Sequence, residues 1–159
     1  MDFDARQFRN AMGRFPTGVV VISTCIDGQP HAMTANAFMS GSLEPAMIVI
    51  SVDINAVTHQ KISKCDLFGI SILSEEQMAT SNHFAGRRSE NFEPVFEFIV
   101  DQPVVEGAAV QLIARLEHSY PCGDHTLFVG RVEALKDDAH MKKPLLFHSG
   151  SYVKLGEKH

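Results

Sequence analysis

The side chains in this sequence that could do chemistry fall in three places. The first is the stretch 33–58, MTANAFMSGSLEPAMIVISVDINAVT. It opens with Thr34, Asn36, Ser40, Gly41 and Ser42, turns at Leu43-Glu44-Pro45, runs apolar over 46–52 and closes on Asp53, Asn55 and Thr58. A core strand with hydrogen-bonding groups at both ends can hold a flat polar ligand; the same pattern also makes an ordinary strand with two capped ends. The second place is the end of that stretch. Free N–H groups at a helix start attract anions, the Thr58 hydroxyl adds a donor and Lys61 lies close by. Asn55 there also reads as a plain N-cap.

The third place is a hairpin carrying His118, Cys122 and His125. These are metal-ligand types, but structural zinc takes four ligands and no second pair stands at usable spacing, so no metal is expected. His125 follows Gly123-Asp124 at a turn. An imidazole with an ordinary pKa near ~6.5 could there bind an anionic or amide group or handle a proton; a turn histidine is also an ordinary surface residue. Ser40 and Ser42 lack a nucleophile elbow, and no cysteine has a local activator. Neither G-x-G-x-x-G nor a phosphate loop is present.

The elements that must position these groups follow from pattern. Residues 4–14 read as a helix capped by Asp4, with Phe8, Met12 and Phe15 on one face and Pro16 as the stop. Residues 18–24, GVVVIST, are a β-branched strand, returned through Asp27-Gly28 as Gln29–Ala35. The run 46–52 is nearly continuous in apolar residues, which predicts a strand buried on both faces. Asn55 starts a short helix; 66–73 is a strand; Ser74 and Gln77 have capping-box spacing for a helix over 75–85 that ends near Gly86. The segment 87–103 reads as a folded loop. Strands over 110–120 and 126–135 pair across a Pro121–Asp124 turn, then a polar loop covers 136–143, and 145–147 and 152–155 are short closing strands. About seven strands against two or three helices, linked mostly by hairpins, predict a mainly antiparallel barrel with helices outside it rather than a doubly wound parallel sheet.

Composition narrows the classes. A chain of 159 residues suits one domain, expected over 1–159. A net charge of −5 and no basic cluster larger than Arg87-Arg88 argue against a nucleic-acid partner. No apolar run approaches the ~20 residues of a membrane span, and the acidic start MDFDARQF lacks a secretory core. Three cysteines without framework spacing suggest free thiols, so a cytoplasmic protein is expected.

The ordered set of short motifs is more specific than any one of them. Phe15-Pro16-Thr17-Gly18-Val19 is followed by Met33-Thr34-Ala35-Asn36-Ala37-Phe38 and Ser40-Gly41-Ser42-Leu43-Glu44-Pro45. Then come Thr58-His59, Leu73-Ser74-Glu75, Phe84-Ala85-Gly86, Gly123-Asp124-His125 and Pro144-Leu145-Leu146-Phe147. From about Phe8 to Leu155 this resembles the short-chain flavin reductases, the reductase components of two-component flavin monooxygenases. The resemblance implies a split β-barrel that binds FMN or FAD, a homodimer with the flavin near the subunit interface, oxidation of NADH or NADPH, and release of reduced flavin to a monooxygenase. Carried over, Pro30, His31, Ala32, Met33, Thr34, Asn36 and Ala37 line the isoalloxazine, and Ser40, Ser42 and Leu43 continue that wall. Ser51, Val52, Asp53, Asn55 and Thr58 hold the ribityl and phosphate end, while Phe84, Gly86 and Arg87 close over the cofactor. His125 faces the nicotinamide, with Tyr152 and Arg14 beside it.

Three departures accompany the resemblance. Ala56-Val57 stand where members often carry Ser-Arg, which leaves FMN against FAD open. Cys122 replaces a common glycine beside the Gly-Asp-His turn. Tryptophan is absent, and Phe98 stands at an aromatic position that the family often fills with it. A non-catalytic flavin-binding electron carrier, and a flavin-mediated reductase of another acceptor such as ferric iron or a corrinoid, would use the same barrel. The Gly-Asp-His turn favours the reductase over the carrier.

Overall fold

The computed structural model describes residues 2–138 and 141–157; residues 139 and 140 of the expected polar loop lie outside the described residues. Helix α1 (Ala5–Met12) starts at Asp4 with a complete capping box to Gln7. Its apolar face stays uncovered: Phe8, Met12 and Phe15 are all more than half exposed.

Seven antiparallel strands form the main sheet: β2 (Val20–Ile26), β3 (Gln29–Ala35), β4 (Phe38–Leu43), β5 (Ala46–Asp53), β6 (Leu67–Ile72), β9 (Val110–Cys122) and β10 (His125–Asp137). Their order is β3-β2-β6-β9-β10-β5-β4. Val20, Ile22, Ile50, Val52, Phe68, Ile70 and Phe128 make one core on its inner face, and Met33 from one edge and Phe38 from the other pack on it. The sheet therefore curls around its core while its edge strands remain unpaired with each other. Gly130 makes this curl possible, because a Cβ there would lie 2.8 Å from the Phe68 ring.

Several expectations need correction. Strand β5 is not buried on both faces: Ile48, Ile50 and Val52 are buried while Met47, Val49 and Ser51 between them are half-buried. Only the inner face meets the core. Helix α2 (Val57–Ile62) packs against the sheet through fully buried Ile62, which belongs to the main core. It is held on two sides by His–Thr hydrogen bonds, His31 to Thr58 (2.9 Å) and His59 to Thr126 (2.8 Å). The polar stretch at 38–43 is itself strand β4, and the segment taken for a loop contains a hairpin, β7 (Phe96–Ile99) and β8 (Gln102–Val105). That hairpin covers the outer faces of β6 and β2: Ser71 Oγ on β6 accepts from Val105 N–H (2.8 Å), and the Ser23 hydroxyl on β2 donates to the Pro103 carbonyl.

After β6, Ser74 and Gln77 close the expected capping box, but on a short 3-10 turn (Glu75–Gln77) that leads into α3 (Met78–Phe84). A small sheet of β1 (Thr17–Gly18), β11 (Leu146–His148) and β12 (Ser151–Val153) brings both ends of the chain together beside α3.

Candidate functional site: two cavities that meet at Asn36

A cavity of about 810 Å³ opens between the end of α1 and the sheet. Its walls include Met12 and Phe15 from the α1 segment, Val20, Phe38, Met39, Val49, Ile72 and Leu127. Strand alternation explains the β5 contribution: with Ile48, Ile50 and Val52 turned to the core, Val49 and Ser51 face the cavity. Among the described residues only Thr17, Asn36 and Ser51 bring polar side chains to its walls. The Thr17 hydroxyl oxygen is buried and has no hydrogen-bond partner among the described residues.

A second cavity of about 170 Å³ lies beside it, with Thr34, Asn36, Ser81, Arg87, Phe147 and Tyr152 among its walls. Asn36, between β3 and β4, is the one residue common to both linings. The small cavity has a connected polar wall. The Thr34 hydroxyl donates to the Ser81 carbonyl (2.6 Å), the Ser81 and Tyr152 hydroxyls share a hydrogen bond (2.7 Å), and the Tyr152 hydroxyl donates to Asn82 Oδ1 (3.2 Å). The Phe147 ring meets Tyr152 edge-on at 5.5 Å and fixes its plane.

A third group of expected residues gathers at the start of α2. Asn55 does not cap this helix: its backbone N–H and side-chain amide both donate to Asp53 Oδ1, at 2.8 and 3.2 Å, and the cap position is Ala56, which makes no side-chain cap. The Thr58 hydroxyl is buried against His31. Burial, and then the nearby Lys61 charge, hold the His31 pKa below its ordinary value. His125 stands opposite Asp53 on β5 and Cys122 on β9. Its Nδ1 lies 2.7 Å from Asp124 Oδ1, and that hydrogen bond, with the imidazole's charge, lowers the Asp124 pKa. The Asp124 carbonyl accepts from Ile54 N–H (3.1 Å), tying this turn to the β5–α2 corner.

Thr34, Asn36, Arg87 and Tyr152 thus surround the small cavity, and Asn36, Ala37 and Ser51 the large one. His31, Asp53, Asn55, Thr58 and His125 form the α2 group. The remaining expected residues lie elsewhere. Val52 is a core residue, Met33 packs on the main core, and Ala32 and Phe84 pack on the second core near Val21 and Leu73, with Phe84 5.5 Å from Phe96. Pro30 is exposed near the β2–β3 turn; Ser40, Ser42 and Leu43 follow edge strand β4 away from both cavities, Leu43 being 90% exposed. Gly86 has φ +83 at the end of α3, and Arg14 is exposed after α1; neither lines a cavity.

Sequence reasoning missed Ser81, Asn82 and the Thr17 hydroxyl. Thr17 lay inside the quoted Phe-Pro-Thr-Gly run and could have been found there. Ser81 gave no local signal, since a serine inside a short helix marks nothing until β3 and β12 are placed against it.

The model of the flavin reductase like domain family matches residues 12–156. An NADH-dependent flavin reductase from Rhodococcus sp is 44% identical over 151 residues, covering 92% of this chain and 84% of the relative. The reductase component of a 4-hydroxyphenylacetate 3-monooxygenase from Thermus thermophilus is 35% identical over 148 residues, covering 93% and 95%. Among solved structures, a flavin reductase in its native state superposes with a TM-score of 0.92 at 41% identity, covering 98% of this chain and all of the other. The mainly β fold, the ordered motifs and the match over nearly the whole chain agree, and the chain belongs to the flavin reductase like domain family.

Proposed function

We propose that this chain is an NADH-dependent flavin reductase that passes a hydride from the reduced nicotinamide to FMN or FAD and supplies reduced flavin to a partner monooxygenase. The observation that carries this reading is the pair of cavities meeting at Asn36, one large and apolar, one small and polar, in a chain of this family. The large cavity fits a flavin on chemistry as well as size. Its apolar walls suit a fused ring system, and the unpartnered Thr17 hydroxyl with Asn36 and Ser51 can meet polar edges.

A bound flavin supplies the two-electron chemistry, and the protein supplies alignment and exclusion of water. Val49, Phe38 and Leu127 would exclude water around a bound ring system, and Asn36 and Thr34 would orient its polar edges. Thr58 and Lys61 would hold the phosphate end, with His31 keeping the Thr58 hydroxyl in place. His125 positions the nicotinamide. A carboxylate only accepts, so the hydrogen of this contact sits on His125 Nδ1 and Asp124 fixes the orientation of the ring.

The uncovered apolar side chains Met12, Phe15 and Met39 support burial against a second copy, hence a homodimer of single-domain subunits. Among the described residues no helix is long and apolar enough to cross a membrane. The cysteines, all free, support a cytoplasmic location.

The test is oxidation of NADH, followed by absorbance, with FMN, with FAD and with neither. Oxidation that depends on added flavin is expected and would identify the preferred flavin. Binding of flavin without oxidation of NADH would overturn the proposal in favour of an electron carrier.

A further inference from the structure

We propose that Cys25 and Cys65 form a peroxide-responsive thiol pair that closes to a disulfide between the end of β2 and the turn after α2. The source of the oxidant rests on the reductase reading; the pair itself does not.

Both thiols are free and half-buried, and neither residue lines a cavity; the third cysteine, Cys122, is exposed at the end of β9. The fold brings the pair together across 40 positions of sequence: the Cys65 thiol points at the Cys25 carbonyl oxygen, 4.0 Å away. That oxygen and the Cys25 sulfur belong to one residue, so the two sulfurs are neighbours. Rotation about the two Cα–Cβ bonds is the main movement that bonding needs. Strand register agrees. β2 and β6 are antiparallel with Ser23 opposite Gly69, which carries Cys25 level with Leu67, two residues from Cys65. Cys65 itself stands before β6, in a turn closed by its N–H to the Ile62 carbonyl (3.1 Å), so it can approach β2 without breaking a strand pair. The bond would fasten the base of α2, the helix that carries Thr58 and Lys61, to the β2–β3 hairpin that carries His31.

The chemistry balances with one peroxide. One thiolate attacks an oxygen of hydrogen peroxide, the O–O bond breaks, and a sulfenic acid and water form. The second thiolate attacks that sulfur, the S–O bond breaks, and the disulfide and a second water result. Two thiols are oxidised, one peroxide is reduced, and both thiol hydrogens end in water. Reduced flavin yields hydrogen peroxide with dioxygen when no monooxygenase consumes it, so a reductase turning over without its partner makes the oxidant in place. A disulfide of this kind in a reducing compartment is transient and redox-sensing.

Hydrogen peroxide added to the reduced protein is the direct test. Thiols titrated in denaturant should fall from three per chain to one, and the mass should fall by two hydrogens, about 2 Da. A digest should contain one peptide joining Cys25 to Cys65, and dithiothreitol should reverse all three changes. Cys25→Ser and Cys65→Ser should each abolish that peptide, and Cys122→Ser should leave it. Oxygen added to separate cysteines without a cross-link, or a link made through Cys122, overturns the inference. Turnover with NADH and flavin in air should form the same bond, and catalase should prevent it. A pair that stays reduced while NADH is consumed in air overturns the claim that turnover supplies the oxidant. Absence of NADH oxidation with any flavin, while added peroxide still forms the bond, overturns the reductase reading alone.

Discussion

The two cavities share Asn36 and little else. The large one is walled mainly by apolar side chains from five strands of the main sheet and the end of α1, and its few polar groups include a hydroxyl without a partner among the described residues. The small one is walled by groups whose hydrogens are already committed to one another across β3, α3 and β12. An apolar wall binds in proportion to the area it covers and is indifferent to small rotations of the ligand. A wall of fixed lone pairs and donors adds little area but rejects any ligand whose own donors fall in the wrong place. Damage to the first should weaken affinity; damage to the second should relax selectivity.

The largest effect expected from this contrast is at Val49. Val49→Trp fills part of the large cavity and should weaken flavin binding on the order of a hundredfold, about 2.7 kcal/mol. KM for NADH at saturating flavin should change little. Titration of flavin fluorescence measures it, and an unchanged Kd would mean that the flavin does not lie there. Asn36→Ala removes the residue common to both linings. With about one hydrogen bond lost to each ligand, kcat/KM should fall roughly tenfold or more, with both flavin and NADH terms affected. An effect confined to one ligand would break the claim that Asn36 serves both cavities.

The His31–Thr58 contact belongs to a third region that lines neither cavity, and its loss should first change stability. Thr58→Ala leaves the half-buried His31 ring nitrogen without its partner and should cost about 1–2 kcal/mol of unfolding free energy. Burial of His31, and then the nearby Lys61 charge, set a pH dependence at the same place. The His31 pKa is lowered in the folded state, so the unfolded chain binds the proton more readily. Stability is complete above the unfolded value near 6.5 and declines as pH falls from there toward the lowered folded value. Melting temperatures measured across that window should fall in the wild type and flatten in His31→Asn. A wild-type Tm that rises as pH falls would reverse the sign.

The smallest effect expected is at Val100, and it bears on what the sequence could disclose. Two hairpins show the limit. Asp27 and Gly28 take φ +51 and +74 between β2 and β3, and an Asp-Gly pair is a familiar signal for a turn with two positive φ values, so that hairpin was legible. Val100 and Asp101 take φ +48 and +58 between β7 and β8 with no such signal, because a β-branched residue strongly disfavours that region. The segment therefore read as a loop. Val100→Asn should stabilise the protein by about 1 kcal/mol with no effect on either cavity, and a denaturant midpoint that falls would contradict this.

Strand β4 was hidden for a different reason. Its core reads Ser-Gly-Ser, and an edge strand with a bulge between Ser40 and Ser42 has no alternation to display. At the site, Thr34 and Asn36 were legible within the ordered motif set and Arg87 and Tyr152 only through the resemblance it carries, though their meeting around one cavity was not. Ser81 was not legible, because its role exists only once three distant elements touch. Asn55 was misread as a cap because the sequence does not show that Asp53, two residues earlier, claims its donors.

The central claim is best tested by anaerobic rapid mixing of the protein, preloaded with its preferred flavin, against NADH. Bleaching of the flavin absorbance at a rate that saturates with NADH, and that slows in His125→Ala while flavin affinity stays unchanged, is the predicted result. A bound flavin that stays oxidised in excess NADH would contradict the account.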